Sequence, residues 1–421
     1  MSLIQLIQRS YKAIISPPNR EIDSNAVRFG LLGASTIGPL SLIAPTKSHP
    51  EAIIAAIAAR DRGRASAYAK KHGIPIVHGS YEDLLADPSI DAVYIALPNG
   101  LHYEWALRSL QAGKHVLLEK PATSNAADAK NLFNHPLAWQ AFLGEVRRAG
   151  VVEFAHSRQT IPRGALASDD IRFDFALGGG CLMDVGTYAV SAVRQVLGRE
   201  AVEVVDAVYQ PMWNGISDGE DASQGQGQVD RFIAATLRTP SGKTATFTAD
   251  IASYFEWPPF LPEGWRFNVP RMTTPMCQAV LEEVVLDALP DFADAEHRMQ
   301  KTVTMWNYLL PTVWHRVDVV EEHRVVENGR NIKTWTETRF MKGYNWRGEG
   351  EGEEDTEAYE EWWTTWRCQL EEFIHRIKGR KGSGVWIGPE ESIAQMEAID
   401  DIYRKAGLEV RPSSSFQLED T

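Results

Sequence analysis

Residues 27–33, Val-Arg-Phe-Gly-Leu-Leu-Gly, carry an apolar strand-like run straight into a glycine turn that ends at Gly38, and this join limits what the following chain can form. Short apolar runs recur at residues 51–59, 74–77, 91–97 and 115–118. Helix-type sequence lies between them at 62–72, 81–85 and 102–112, the last closed by Gly113. Strands that alternate with helices are joined by right-handed crossovers, and the sheet they make is parallel and doubly wound.

Beyond residue 150 the pattern changes. Strand candidates at 151–157, 202–209, 232–237, 244–250, 302–308, 316–320 and 334–340 follow one another without regular helices, which predicts an antiparallel sheet. Helices are expected at 184–197 and 359–377, and residues 276–288 read as a helix inserted in a polar stretch, 268–301. The fold class is therefore α/β: an N-terminal Rossmann-type doubly wound parallel sheet and a C-terminal α/β domain on an open, mostly antiparallel sheet. The expected division is an extension over 1–26, a dinucleotide-binding domain over 27–149 and a substrate and dimerisation domain over 150–421.

Composition excludes several classes. With 43 Lys and Arg against 56 Asp and Glu, a net charge of -13, the chain lacks the basic surface that nucleic acid or an anionic membrane requires. Cys181, Cys277 and Cys368 are far apart and form no Cys-x-x-Cys or Cys/His cluster, so a reducing, cytoplasmic setting is expected and no metal site. At the start, Leu3, Ile4, Leu6, Ile7, Tyr11, Ile14 and Ile15 recur at helical spacing but are broken by Gln5, Gln8, Arg9, Ser10 and Lys12. This run is too short and polar to span a bilayer, and predicts an amphipathic helix packed on the body. Trp362, Trp363 and Trp366 read as core residues.

The turn Gly33-Ala34-Ser35-Thr36-Ile37-Gly38 has GxGxxG spacing with Ser35 at the middle position. Such a turn brings backbone N–H groups and a helix N-terminus to a pyrophosphate, and serine is small enough to serve. After the second apolar run comes Arg60-Asp61-Arg62, with Arg64 nearby. An acid here accepts from the ribose 2'-hydroxyl of NAD and an arginine pairs with the 2'-phosphate of NADP. Arg60 stands first, which favours NADP, with NAD possible.

Three further motifs complete a pattern: Leu97-Pro98-Asn99 with His102, Glu119-Lys120-Pro121, and the run from Gly178 through Gly180, Asp184 and Gly186 to Tyr188. Together with the glycine turn they resemble the glucose-fructose oxidoreductase/inositol dehydrogenase/MocA family, and within it fungal NADP-dependent D-xylose dehydrogenases and dimeric dihydrodiol dehydrogenases. The resemblance runs from about Val27 to the C-terminus. It implies sugar, polyol or diol substrates and a homodimer through the C-terminal sheet. It also implies that Lys120 lies near the reacting hydroxyl, that Asp184 and Tyr188 hold or deprotonate it, and that Asn99 lies by the nicotinamide ribose. The expected cofactor contacts are Gly33, Ser35, Thr36, Ile37, Gly38, Arg60, Arg64, Leu97, Pro98, Asn99, His102, Glu119 and Lys120. For His102, capping or packing is an equal alternative.

The chemistry asks for the same residue types. When hydride leaves an alcohol carbon, a base takes the hydroxyl proton and the developing charge needs a cation beside it. A tyrosine, with a reference pKa of about 10, becomes a base only if a neighbouring cation stabilises its phenolate. Tyr188 is thus the expected base and Lys120 its partner, with Asp184 on the same helical face four residues earlier. Arg172 is expected to fix the loop before the glycine run and is not assigned to catalysis. Relatives carry a full helix and a sixth strand after Glu-Lys-Pro; here 125–133 is a shortened helix and 134–139 follows at once, so the last Rossmann strand is expected to be missing. The expected activity is D-xylose 1-dehydrogenase-like oxidation, with a trans-dihydrodiol as alternative substrate; the alternative is a dinucleotide-binding protein that no longer turns over, or a repurposed non-redox pathway protein on the same fold.

Overall fold

The computed structural model describes residues 3–121, 137–167, 170–212, 226–253, 275–309, 311–312, 314–343, 360, 362–382 and 388–416. Helix α1 (Leu3–Ser10) continues as a wider π turn over Tyr11–Ile15. Among the described side chains of this segment, Arg9 and Ala13 are buried, while Ile7, Tyr11 and Ile15 stand in solvent. Polar contacts tie this segment to the body. Arg9 Nε donates to the Thr312 carbonyl at 2.8 Å, and Lys12 sits 3.5 Å from Glu360 and over the Trp362 ring.

The parallel sheet contains β1 (Val27–Leu32), β2 (Ala52–Ala58), β3 (Ile76–Val77), β4 (Ala92–Ile95) and β5 (His115–Leu118) in the order β3-β2-β1-β4-β5. Between them run a π turn, Pro39–Ile43, leading into α2 (Ala44–Lys47), then α3 (Arg62–His72), α4 (Tyr81–Ala86) and α5 (His102–Gln111). Strand alternation divides the sheet's burial between two faces. Phe29 and Leu31 enter one core with Leu42, Ile57 and Tyr94, and Leu32 enters the other with Leu84, Val93 and Ile95. Gly30 lets α4 approach, since a Cβ there would meet Leu84 Cδ2 at 2.5 Å. Asp61 and Ser80 cap α3 and α4 through their side chains, as their positions before the helices predict.

Among the described residues no sixth strand extends the sheet beyond β5. Residues 125–133, where a shortened helix is expected, and most of 134–139 lie outside the described residues. The chain resumes in α6 (Leu137–Ala149), whose Trp139, Phe142, Leu143 and Val146 enter the core of the second sheet.

That sheet comprises β6 (Val152–Pro162), β7 (Glu203–Pro211), β8 (Asp230–Arg238), β9 (Thr244–Ser253), β10 (Met276–Leu281), β11 (Val284–Leu286), β12 (Glu296–Trp306), β13 (Arg316–Glu327) and β14 (Arg330–Met341). Its path is β14-β13-β12-β10-β6-β9-β8-β7, with β11 on β12. Every pairing is antiparallel except β6 with β9. The helix expected over 276–288 is instead two strands. Met276–Leu281 lies between β12 and β6, with Cys277, Ala279 and Leu281 turned into the core, so cross-strand partners on both sides decide its conformation.

Helix α7 (Thr187–Val196) follows a π turn over Leu182–Gly186 and covers the second sheet together with α9 (Pro389–Ala406). Between these lies α8 (Thr365–Ile377), which starts later than expected because Thr364 caps it through Arg367 N. It packs back on the parallel sheet: Leu370, Phe373 and Ile374 join Phe29 and Leu31, with Phe29 and Phe373 rings 5.9 Å apart. Each such side chain contributes about 1.5–3 kcal/mol of burial. Glu51 fastens the end of α8 through Lys378 and Arg380, each at 2.6 Å. Of the three tryptophans expected in the core, Trp362 is buried, while Trp363 and Trp366 are only half-buried.

Candidate functional site

The carboxyl ends of β1, β4 and β5 meet where the strand order reverses, which is where open α/β sheets bind ligands. After β1 the backbone turns at Gly33 with φ of +100°, where a Cβ would also lie 3.1 Å from the Ala96 carbonyl. At Gly38 a Cβ would meet Tyr68 Oη at 2.6 Å. Ser35 braces the turn: its Oγ accepts from Gly38 N at 3.1 Å, and its carbonyl accepts from Tyr68 Oη at 3.1 Å. Thr36 is exposed and Ile37 half-buried at the opening. This backbone, kept bare by two glycines at the start of a helical segment, fits a dinucleotide pyrophosphate. Beyond β2, Asp61 Oδ1 is engaged by Arg64 N at 2.7 Å as the cap of α3, while Arg60 lies exposed at the strand end and Arg64 exposed in the first turn.

The loop after β4 docks on the glycine run. Asn99 Nδ2 donates to the Gly178 carbonyl at 3.0 Å, and Gly100 N donates to Leu177 at 3.0 Å. Leu97 is buried, and its carbonyl and that of Pro121 each lie 2.8 Å from a ring nitrogen of His102. His102 is wholly buried, which pushes its pKa down. The ring thus ties the loop after β4, through Leu97, to the one after β5, the packing alternative of its sequence reading; Pro98 precedes the short turn Asn99–Leu101, and the Lys120-Pro121 peptide is cis.

At the end of β5, Lys120 Nζ donates to Asp184 Oδ1 at 2.7 Å and to the Asp184 carbonyl at 2.9 Å, and lies 4.9 Å from the Tyr188 ring centroid. The other carboxylate oxygen, Oδ2, accepts from Arg172 Nε at 2.6 Å, and Arg172 Nη1 reaches Asp170 at 2.9 Å. Asp184 sits in the π turn and Tyr188 in the first turn of α7, so the wider turn sets their shared face. Burial opposes charge on both Lys120 and Asp184, and their mutual attraction overcomes it. The lysine pKa is raised, with Tyr188 and Glu119 assisting, and the aspartate is lowered with help from Arg172. Burial pushes the Tyr188 hydroxyl up, while Lys120 pulls the other way. A phenol beside a fixed ammonium–carboxylate pair can donate a proton to an oxygen placed between them, and once deprotonated its phenolate can accept one from a hydroxyl there.

Residues 27–136 match the oxidoreductase family with an NAD-binding Rossmann fold, and residues 140–269 match the GFO/IDH/MocA C-terminal domain. The chain is 41% identical to D-xylose 1-dehydrogenase (NADP(+)) 2 of Haloferax volcanii over 236 residues, which are 52% of this chain and 67% of that protein. It belongs to the GFO/IDH/MocA oxidoreductase family. A trans-1,2-dihydrobenzene-1,2-diol dehydrogenase of Sus scrofa is 29% identical over 255 residues, 54% of this chain and 69% of that one. A 3-ketoreductase from Actinomadura kijaniata, solved with NADP and TDP-benzene, has the same fold: TM-score 0.60 at 21% identity, covering 90% of this chain and 98% of that one. An aldose-aldose oxidoreductase from Caulobacter crescentus superposes with TM-score 0.60 at 19% identity, covering 91% and 98%.

In this family member two further sets of residues set the site. Glu119 Oε1 accepts from Tyr94 Oη at 2.5 Å, and Tyr94 Oη lies 2.5 Å from Ser41 Oγ, so the residue before Lys120 is tied to the helical segment of the glycine turn. Asp230 is wholly buried, with Oδ1 accepting from Arg411 Nη2 at 2.7 Å and Oδ2 from Leu182 N at 2.6 Å. Arg411 Nε also donates to the Gly179 carbonyl at 2.6 Å. Gly180 has φ of +128°, and a Cβ there would lie 2.2 Å from Asp230 Oδ1, so this glycine is required by both backbone and space. Sequence reading passed over Tyr94, Ser41, Asp230 and Arg411. Only Asp230, an acid opening an apolar strand, offered a local signal.

Proposed function

We propose that the protein is an NADP-dependent dehydrogenase that oxidises a hydroxyl of a sugar, polyol or diol, with a D-xylose-like aldose oxidised at its anomeric carbon as the leading substrate. The observation that carries the proposal is Lys120 Nζ held at 2.7 Å from Asp184 and 4.9 Å from the Tyr188 ring, at the edge of the glycine-turn crevice. NADP, when bound, accepts the hydride that leaves the carbinol carbon. Tyr188 in its phenolate form takes the hydroxyl proton, Lys120 stabilises the charge that develops on oxygen, and the product is a lactone. Asp184, braced by Arg172, fixes the lysine's position. Because burial holds the Tyr188 hydroxyl protonated, oxidation accelerates as pH rises and the reverse reduction is favoured as pH falls.

Arg60 and Arg64 favour NADP over NAD, since Asp61 is occupied as a helix cap. The name of one relative, a D-xylose dehydrogenase of NADP, points the same way; another is a trans-dihydrodiol dehydrogenase, and a trans-dihydrodiol is the alternative substrate. We read residues 1–26 as an extension, a dinucleotide unit from 27, and a substrate unit that forms a homodimer through the second sheet in the cytoplasm. The packing of α6 favours a boundary ahead of Leu137 rather than at 149. The test is titration of purified protein with NADPH and NADH, then a pentose, polyol and diol panel read by reduced-nicotinamide absorbance. Tighter binding of NADPH with turnover of a pentose supports the proposal. Binding without turnover on any member overturns it in favour of a dinucleotide-binding protein without catalysis.

A further inference from the structure

Away from the crevice, the hairpin β13–β14 places two carboxylates opposite each other: Glu321 pairs in register with Glu337. Like charges facing across a sheet destabilise the pairing. Lys301 Nζ meets Glu321 Oε1 at 2.8 Å, but the second oxygen, Oε2, faces His323 Nε2 at 3.9 Å, beyond hydrogen-bond reach. His323 is 7% exposed, and its Nε2 has no hydrogen-bond partner. Ligand atoms of Glu321, His323 and Glu337 all lie within 4.8 Å of one another.

The tautomer of His323 follows from its neighbours. His297 Nδ1 lies 3.3 Å from the Asp287 carbonyl, which can only accept, so Nδ1 carries the proton and a neutral His297 has its lone pair on Nε2. His323 Nδ1 lies 2.9 Å from that Nε2 and donates to it. A neutral His323 then presents a bare lone pair at Nε2 toward two carboxylates, with its ring stacked on Trp335 at 4.6 Å and 3°. A ligating histidine whose other nitrogen donates to a fixed acceptor is the usual arrangement around a protein-bound metal ion.

We propose that Glu321, His323 and Glu337 bind a first-row divalent cation of the zinc or manganese class, which bridges β13 to β14. One imidazole nitrogen and two carboxylate oxygens suit such ions. Lys301 and Trp335 Nε1, the latter donating to Glu337 Oε1 at 3.1 Å, orient the carboxylates from outside. The absence of paired cysteines, which led to the expectation of no metal, does not bear on this oxygen and nitrogen donor set.

The test uses the full chain, stripped with chelator and titrated with zinc and with manganese chloride by calorimetry, with thermal melting in parallel. One cation should bind per chain, and it should raise the melting temperature. Glu337→Gln, at an exposed position, should weaken binding at least tenfold, and His323→Phe, which keeps an aromatic ring on Trp335, should abolish both the binding and the shift. No saturable binding to the unaltered chain overturns the proposal, as does an isotherm unchanged in both variants.

Discussion

Two buried aspartates flank the glycine run, and they are held differently. Asp184 is met by two cations, Lys120 and Arg172, one on each oxygen, and its pKa is lowered despite burial. Asp230 has one cation, Arg411, with a backbone N–H and the Tyr403 hydroxyl, and burial raises its pKa to about 6. The Lys120 side chain on the first is 28% exposed at the crevice; both partners of the second are fully enclosed. A carboxylate beside a reacting group must keep its charge with solvent and substrate nearby. One that braces backbone can be sealed in, where breaking the pair leaves an unpaired buried charge.

Exchanging each aspartate for asparagine separates these roles. Asp184→Asn should lower kcat by about a thousandfold, since the lysine loses the charge that fixes it, with a smaller loss of stability. Asp230→Asn should do the reverse: a stability loss of about 3–5 kcal/mol in urea unfolding, and kcat of the folded fraction within about tenfold of the parent. Equal effects on rate and stability in both variants would break the distinction.

Tyr188→Phe should reduce kcat by about a hundredfold or more and remove the alkaline rise in oxidation rate. If that rise survives unchanged in a pH-rate profile, another group is the base. Arg172→Lys, which cannot span Asp170 and Asp184 with the same fork, should cost about tenfold in kcat with little change in cofactor affinity.

The smallest effect is in pH-dependent stability. The Asp230 pKa is raised, so its contribution is fully present below about 3.8, is lost as pH rises through about 6, and is constant above that. Asp184, with a lowered pKa, contributes above its unfolded value and loses that contribution in stronger acid. Urea midpoints of the unaltered chain and of Asp230→Asn, compared from acid to neutral pH, should differ by a component of order 1 kcal/mol that declines with rising pH. A difference that grows through that window contradicts the assignment.

Much of the parallel sheet was legible, because its strands, glycine turn and caps are encoded within a few residues of each other. Lys120, Asp184 and Tyr188 stood out for the same reason, each inside a dense local motif. Residues 276–281 misled because Met, Gln, Ala and Leu favour helices in isolation, and only strands β6 and β12 on either side make the segment extended. Helix α1 shows another limit. Its apolar spacing was read correctly, but Arg9 and Lys12 found partners at Thr312 and Glu360 that periodicity cannot reveal. The Arg411–Asp230 pair spans 181 residues, and such partners leave no local trace.

The central claim is that Lys120 acts at the reacting hydroxyl rather than merely filling the crevice. Its most direct test is steady-state NADP reduction by Lys120→Met alongside fluorescence titration with NADPH, on the best substrate of the panel. The account predicts a loss of about a thousandfold or more in kcat with cofactor affinity within a few-fold of the parent. Activity unchanged in this variant would contradict it.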